Sequence, residues 1–160
     1  MDSYSEAREY LEELDQKLGD EGLALDGVLI GQAALWEYAE RAGVEIEGRE
    51  TEDIDIYVPD VLQAFDIAEL YDEVPQQTGT RLNIDRAPNT YIDLIWDHPM
   101  ADTYAEIIES GDAEKVEGLE NINLYLMSEE EYIESKRNAG REKDSIDIEK
   151  MQKVMESGTF

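Results

Sequence analysis

Residues Asp53-Ile54-Asp55-Ile56-Tyr57-Val58 alternate strictly, with an apolar side chain at every second position. Successive side chains of a β-strand point to opposite faces, so the hexapeptide reads as a strand with both aspartates on one face and both isoleucines on the other. Pro59 stops it. Such a strand requires a sheet with one face sealed by apolar packing and the other carrying a pair of carboxylates. Two carboxylates two residues apart on one strand face are close enough to share hard cations. Buried without cations, they would repel each other strongly. Composition enters here as a control: 41 Asp and Glu in 160 residues make several acid-x-acid triplets by composition alone, most of them solvated surface. Placement on a strand whose other face is apolar separates Asp53 and Asp55 from those.

Around this strand the pattern is mixed. Ala7, Leu11, Leu14 and Leu18 follow helical spacing, with Ser3 and Glu6 as a capping box, and Gly19 and Gly22 close the helix. Within Leu23 to Ile30, Val28-Leu29-Ile30 suits a buried strand, and Gly31 permits a tight turn into a helix from about Gln32 to Arg41. Gly43 to Arg49 reads as a loop. Val61, Phe65 and Ala68 mark a helix ending near Pro75. Thr80 to Asp85 and Thr90 to Trp96 read as strands joined by a turn at Ala87-Pro88-Asn89. Ala101 to Ser110 is expected to be helical, and Ile122 to Met127 a strand. Ser128 and Glu131 form another capping box, on a helix that ends at Gly140; the last helix carries Ile148, Met151 and Met155 on one face. Strands and helices alternate irregularly, which predicts an α/β (α+β) fold with a mixed sheet. The length fits one domain spanning 1–160, its core at about 23–127 and a helical C-terminal segment at 128–157.

The acids outnumber 13 Lys and Arg and leave a net charge of −28. They are dispersed and interrupted by regularly spaced apolar residues, so a folded core is expected rather than a disordered acidic tail. The surface could imitate nucleic-acid phosphates. Dispersed acid with little Lys instead favours adaptation to molar salt, where the Debye length falls to about 3 Å and self-repulsion is screened. A halophilic source is therefore expected. A generic basic groove for nucleic acid is absent. No run approaches the ~20 apolar residues of a membrane span, and the acidic start lacks the basic head of a signal peptide. With no cysteine, thiolate metal sites and cysteine nucleophiles are excluded, and a cytoplasmic setting is expected.

Three further features gather around the aspartate pair. Leu29-Ile30-Gly31-Gln32-Ala33-Ala34-Leu35 sets a glycine between strand and helix, where backbone N–H groups can face a phosphate. Arg49-Glu50-Thr51-Glu52 directly precedes Asp53. Tyr91-Ile92-Asp93-Leu94-Ile95-Trp96 carries one acid among apolar residues, and a third carboxylate on a neighbouring strand is what two-metal phosphoryl chemistry requires. Six of the 13 basic residues fall between Lys136 and Lys153, where Lys136, Arg141 and Lys143 could meet a triphosphate. The plainer reading of that tail is pairing along a helix surface among Lys143, Asp147 and Lys150.

Together, Gly31-Gln32-Ala33-Ala34-Leu35, Arg49-x-Thr51-x-Asp53-Ile54-Asp55-Ile56 and the later Ile92-Asp93-Leu94 resemble the minimal nucleotidyltransferase fold. The tail from Ser135 to Ile148 is similar to the Lys-x-x-Ala-x-Arg-x-Lys-Asp-x-x-Asp pattern of its AbiEii-like branch, which includes toxins of toxin–antitoxin and phage-defence systems. The resemblance implies a magnesium-dependent transferase that moves a nucleoside monophosphate from an NTP to a hydroxyl, at a tRNA 3′ end or on a protein. It implies that Asp53, Asp55 and Asp93 hold two Mg²⁺ ions. Nucleotide binding then falls to Gly31, Gln32, Arg49, Thr51, Lys136, Arg141 and Lys143, and a cognate antitoxin or regulator is an expected partner. One departure stands out: the family commonly has Gly-Ser or Gly-Gly where this chain has Gly31-Gln32, which puts a glutamine side chain where a triphosphate approaches. A catalytically inactive binding module acting through a partner protein is the alternative. His98, the only histidine, has no other nitrogen or thiol ligand to build zinc with. Trp36 and Trp96 read as core or pocket packing.

Overall fold

The computed structural model describes residues 4–46, 53–84, 90–96 and 104–157. Arg49, Thr51, Ser3, His98, and the turn expected at 87–89 lie outside the described residues.

Helix α1, Tyr4–Asp20, buries Ala7, Leu11, Leu14 and Leu18 as its spacing predicts, and runs through Gly19. Its Asp15 carboxylate accepts from the backbone N–H groups of Glu120, Asn121 and Ile122, 2.7 to 3.1 Å away. That contact ties α1 to the start of a distant strand. Strand β1, Leu25–Ile30, leads at Gly31 straight into α2, Gly31–Ala42, which closes on a left-handed Gly43. Strand β2 is Asp53–Tyr57. Helix α3, Val61–Leu70, is capped by Asp60, whose side chain accepts from the N–H groups of Leu62 and Gln63. It ends five residues before Pro75 and turns Ala64, Ile67 and Ala68 inward. Phe65, expected on the buried face, stays 42% exposed and meets the ring of Trp96 edge-on at 5.6 Å.

Strands β3, Gly79–Asn83, and β4, Tyr91–Ile95, are antiparallel neighbours. After the short α4, Tyr104–Glu109, comes β5, Glu114–Lys115, a two-residue edge strand with no alternation to announce it. Strand β6 is Ile122–Leu126. Helix α5, Glu129–Ala139, starts on Ser128, whose Oγ accepts from the Glu131 N–H at 3.2 Å, and stops at left-handed Gly140. Helix α6, Glu142–Ser157, packs against both α5 and α2.

The six strands form one sheet in the order β3-β4-β2-β1-β6-β5. Strand β2 is antiparallel to β1 and parallel to β4, while β1 and β6 are parallel. Ile54, Ile56, Ile92, Leu94, Leu82, Ile122 and Leu124 are fully buried. They fill one face of the sheet and set its register, because a slip of one residue would turn these side chains toward the acid-bearing face. The other face therefore carries Asp53, Asp55, Asp93 and Arg81.

Candidate active site

Register does the assembling. Asp55 lies opposite Asp93 across the parallel β2–β4 pair, with Asp53 two residues earlier on the same face. One carboxylate oxygen from each of the three lies within 4.8 Å of the others. Across β1–β2, Asp55 faces Ile30, so the chain turns into α2 beside it. Gly31 makes that turn at φ +70°, and a Cβ there would stand 2.9 Å from Asp55 Oδ2. Glycine is required twice over, by the left-handed backbone and by the nearby carboxylate. The N-cap residue of α2, Ile30, offers no side-chain oxygen to the first N–H groups of the helix, which begins at Gly31 beside Asp55.

Asp55 carries a strongly perturbed carboxyl. Burial, then the charges of Asp53 and Asp93, push its pKa from 3.8 up to about 7, against the opposing pull of Lys136 and Lys143. Burial also raises Asp93, opposed by hydrogen bonds from Arg81 and reinforced by Asp53. Arg81 is the residue that sequence reasoning missed. It sits opposite Asp93 across β3–β4, with Nε 2.8 Å from Oδ1 and Nη2 2.9 Å from Oδ2. Nη2 also lies 3.4 Å from Asp53 Oδ2. A signal was available: between Arg49 and Lys115 the only basic residues are Arg81 and Arg86.

The C-terminal helices bring the basic tail to the same corner. Ile30, Gly31, Asp55, Lys136, Arg141 and Lys143 line a cavity of about 60 Å³. Lys136, however, is buried, and its Nζ lies 3.3 Å from Asp144 and 3.0 Å from Asp147. Arg141 grips Asp144 through Nε at 2.7 Å and Nη2 at 3.1 Å. These partners hold Asp144 below its ordinary pKa although burial opposes them. Asp147 is thus fully buried and turned into the protein toward Lys136. Lys143 is exposed. Gln32 is only 3% exposed, does not line the cavity, and neither of its amide atoms has a hydrogen-bond partner among the described residues. A hollow of about 560 Å³ lined by Tyr38, Arg41, Ser128 and Glu129 lies apart from the three aspartates. It is far roomier but gathers no comparable ligand set among the described residues. The chemistry follows the ligands, not the volume.

No protein-family model and no curated protein matches this chain. Among solved structures it is similar to the solution structure of the antibiotic-resistance factor ANT(2'')-Ia, with a TM-score of 0.55 and 17% identity, over 98% of this chain and 85% of that one. The fold is nucleotidyltransferase-like. The mixed sheet and C-terminal helices expected from the sequence are thereby found in the chain. At the described residues no helix is long and apolar enough to cross a membrane.

Proposed function

We propose that this protein is a metal-dependent nucleotidyltransferase, with Asp53, Asp55 and Asp93 as its metal ligands. The observation that carries the reading is the convergence of three carboxylates from two paired strands, within 4.8 Å, against the glycine that opens α2. The donor set fits a hard cation, since every ligand is a carboxylate oxygen, as Mg²⁺ prefers. The raised pKa of Asp55 points the same way: the cluster as it stands holds more negative charge than its setting solvates.

Bound divalent ions would polarise the α-phosphate and lower the pKa of the attacking hydroxyl. Gly31 keeps the backbone bare, so that a triphosphate can approach the N–H groups of the first turn of α2. Lys143 and the outward edge of Arg141 offset charge on the departing pyrophosphate. Lys136 shares its charge with Asp144 and Asp147, and its part is to hold α5 and α6 beside Asp55. The acceptor oxygen bonds to the α-phosphorus, the bond from that phosphorus to the β-bridging oxygen breaks, pyrophosphate leaves, and the hydroxyl proton passes to water.

The motif resemblance extends the reading to the AbiEii-like branch, with two Mg²⁺ ions and an acceptor at a tRNA 3′ end or on a protein. It also makes a toxin role with a cognate antitoxin the working assumption, and the charge balance adds a halophilic, cytoplasmic setting. The test is titration of an NTP panel with Mg²⁺ in molar KCl, comparing wild type with Asp53→Asn. Metal-dependent nucleotide binding that the variant loses is expected. A folded wild-type protein that binds no nucleotide would refute the enzyme reading and favour a catalytically inactive module acting through a partner protein.

A further inference from the structure

Arg81 is a fixed cation planted among the three carboxylates. Its fork takes both oxygens of Asp93, at 2.8 and 2.9 Å, and one arm reaches Asp53 at 3.4 Å. The guanidinium also lies 4.7 Å over the ring of Tyr91, on the strand that carries Asp93, which steadies the arm in place. Arginine does not give up its proton in proteins, so this charge is permanent. A bidentate guanidinium occupies one lone pair on each carboxylate oxygen. Asp93 then keeps a single outward lone pair on each oxygen, and the chelating bite between them is taken. Once ionised, as metal ligands must be, the three carboxylates with the guanidinium leave two net negative charges, which one divalent ion balances. A second ion would make the cluster net positive unless phosphates came with it.

We propose that Arg81 stands in for one of two cations, so that the protein alone accepts a single divalent ion and takes a second only together with the phosphates of a nucleotide. The inference rests on the metal-dependent reading above and sharpens it, since it makes metal occupancy depend on the substrate. A simpler role for Arg81, orienting Asp93 as a ligand, predicts the opposite sign. Removing an orienting group weakens metal binding, whereas removing a competing cation strengthens it.

The experiment is a Mn²⁺ titration in which free Mn²⁺ is read by electron paramagnetic resonance, without and with a non-hydrolysable ATP analogue. The proteins are wild type, Arg81→Met, Arg81→Lys and Asp55→Asn. Arg81 is half exposed on an edge strand, so the fold should tolerate its loss, and circular dichroism checks that it does. Wild type is expected to bind one equivalent alone and a second with the analogue. Arg81→Met is expected to bind the first ion roughly tenfold or more tightly and to take the second without nucleotide. Arg81→Lys, which keeps the charge and loses the fork, should fall between them. Equal or weaker binding by Arg81→Met, or two equivalents in wild type without nucleotide, overturns the proposal. If wild-type binding is nevertheless lost in Asp55→Asn, the metal site stands and Arg81 only orients Asp93. Absence of Mn²⁺ binding in both wild type and Arg81→Met removes the inference and the metal-dependent reading together.

Discussion

Replacing Asp55 with asparagine should stabilise the metal-free protein in alkali and leave it nearly unchanged in acid. The carboxyl has an ordinary pKa of 3.8, and in the fold burial, followed by Asp53 and Asp93, raises it to about 7. The folded state therefore binds an extra proton between those two values, and stability falls as pH rises through the window. The penalty is absent below about 4 and complete above about 7. Three units at ~1.4 kcal/mol each make it about 4 kcal/mol, an upper bound because a neighbouring carboxylate can move or attract a counter-ion. Asparagine keeps the shape and the hydrogen-bonding ends without the charge, so the gain of the variant over wild type should grow from near zero at pH 4 toward that value at pH 8. Only the difference is informative, since both proteins share the other 40 acids of the chain. Urea unfolding at fixed ionic strength with a chelator present measures it. A pH-independent difference, or a variant less stable than wild type at pH 8, would refute the reasoning. That result would mean Lys136 and Lys143 more than compensate the repulsion. Added Mg²⁺ should reverse the order, stabilising wild type and not the variant.

Two further substitutions probe what holds the site. Gly31→Ala combines a left-handed φ of +70° with a Cβ 2.9 Å from Asp55 Oδ2. It should cost roughly 1–3 kcal/mol in urea unfolding and weaken Mn²⁺ binding by displacing Asp55, and a variant with wild-type stability and affinity would refute the close approach. Lys136→Met withdraws the ammonium that lies 3.0 Å from fully buried Asp147 and 3.3 Å from Asp144. The expected loss is about 3–5 kcal/mol, most of it restored by adding Asp147→Asn, and a single variant within 1 kcal/mol of wild type would show that the buried carboxylates find compensation elsewhere.

The elements that position the site are legible because their rules are local. Alternation at Asp53–Val58 sets which side chains share a face, a glycine after Val28-Leu29-Ile30 marks the turn into α2, and Ser128 three residues before Glu131 announces α5. Each depends on a few adjacent residues and survives whatever lies around it. Phe65 shows the limit: helical spacing names a face, yet the neighbours decide whether that face or the next one, with Ala64 and Ile67, turns inward. Strand β5 has two residues and exists only through its pairing with β6.

Partners are a different kind of fact. The strand pattern of Tyr91 to Trp96 singles Asp93 out among 41 acids, but only the register of β4 beside β2 sets it opposite Asp55. The same register places Arg81, twelve positions back in the chain, across Asp93. Lys136 reads in sequence as a free charge for a phosphate, and the packing of α5 on α6 instead sets it between Asp144 and Asp147. The sequence by itself determined strands β1 to β4 and β6, their apolar faces and the supply of carboxylates. The tertiary structure alone decided which charges meet, because burying Ile54, Ile56, Ile92 and Leu94 together fixes the register, and the charged face follows from what the apolar face requires.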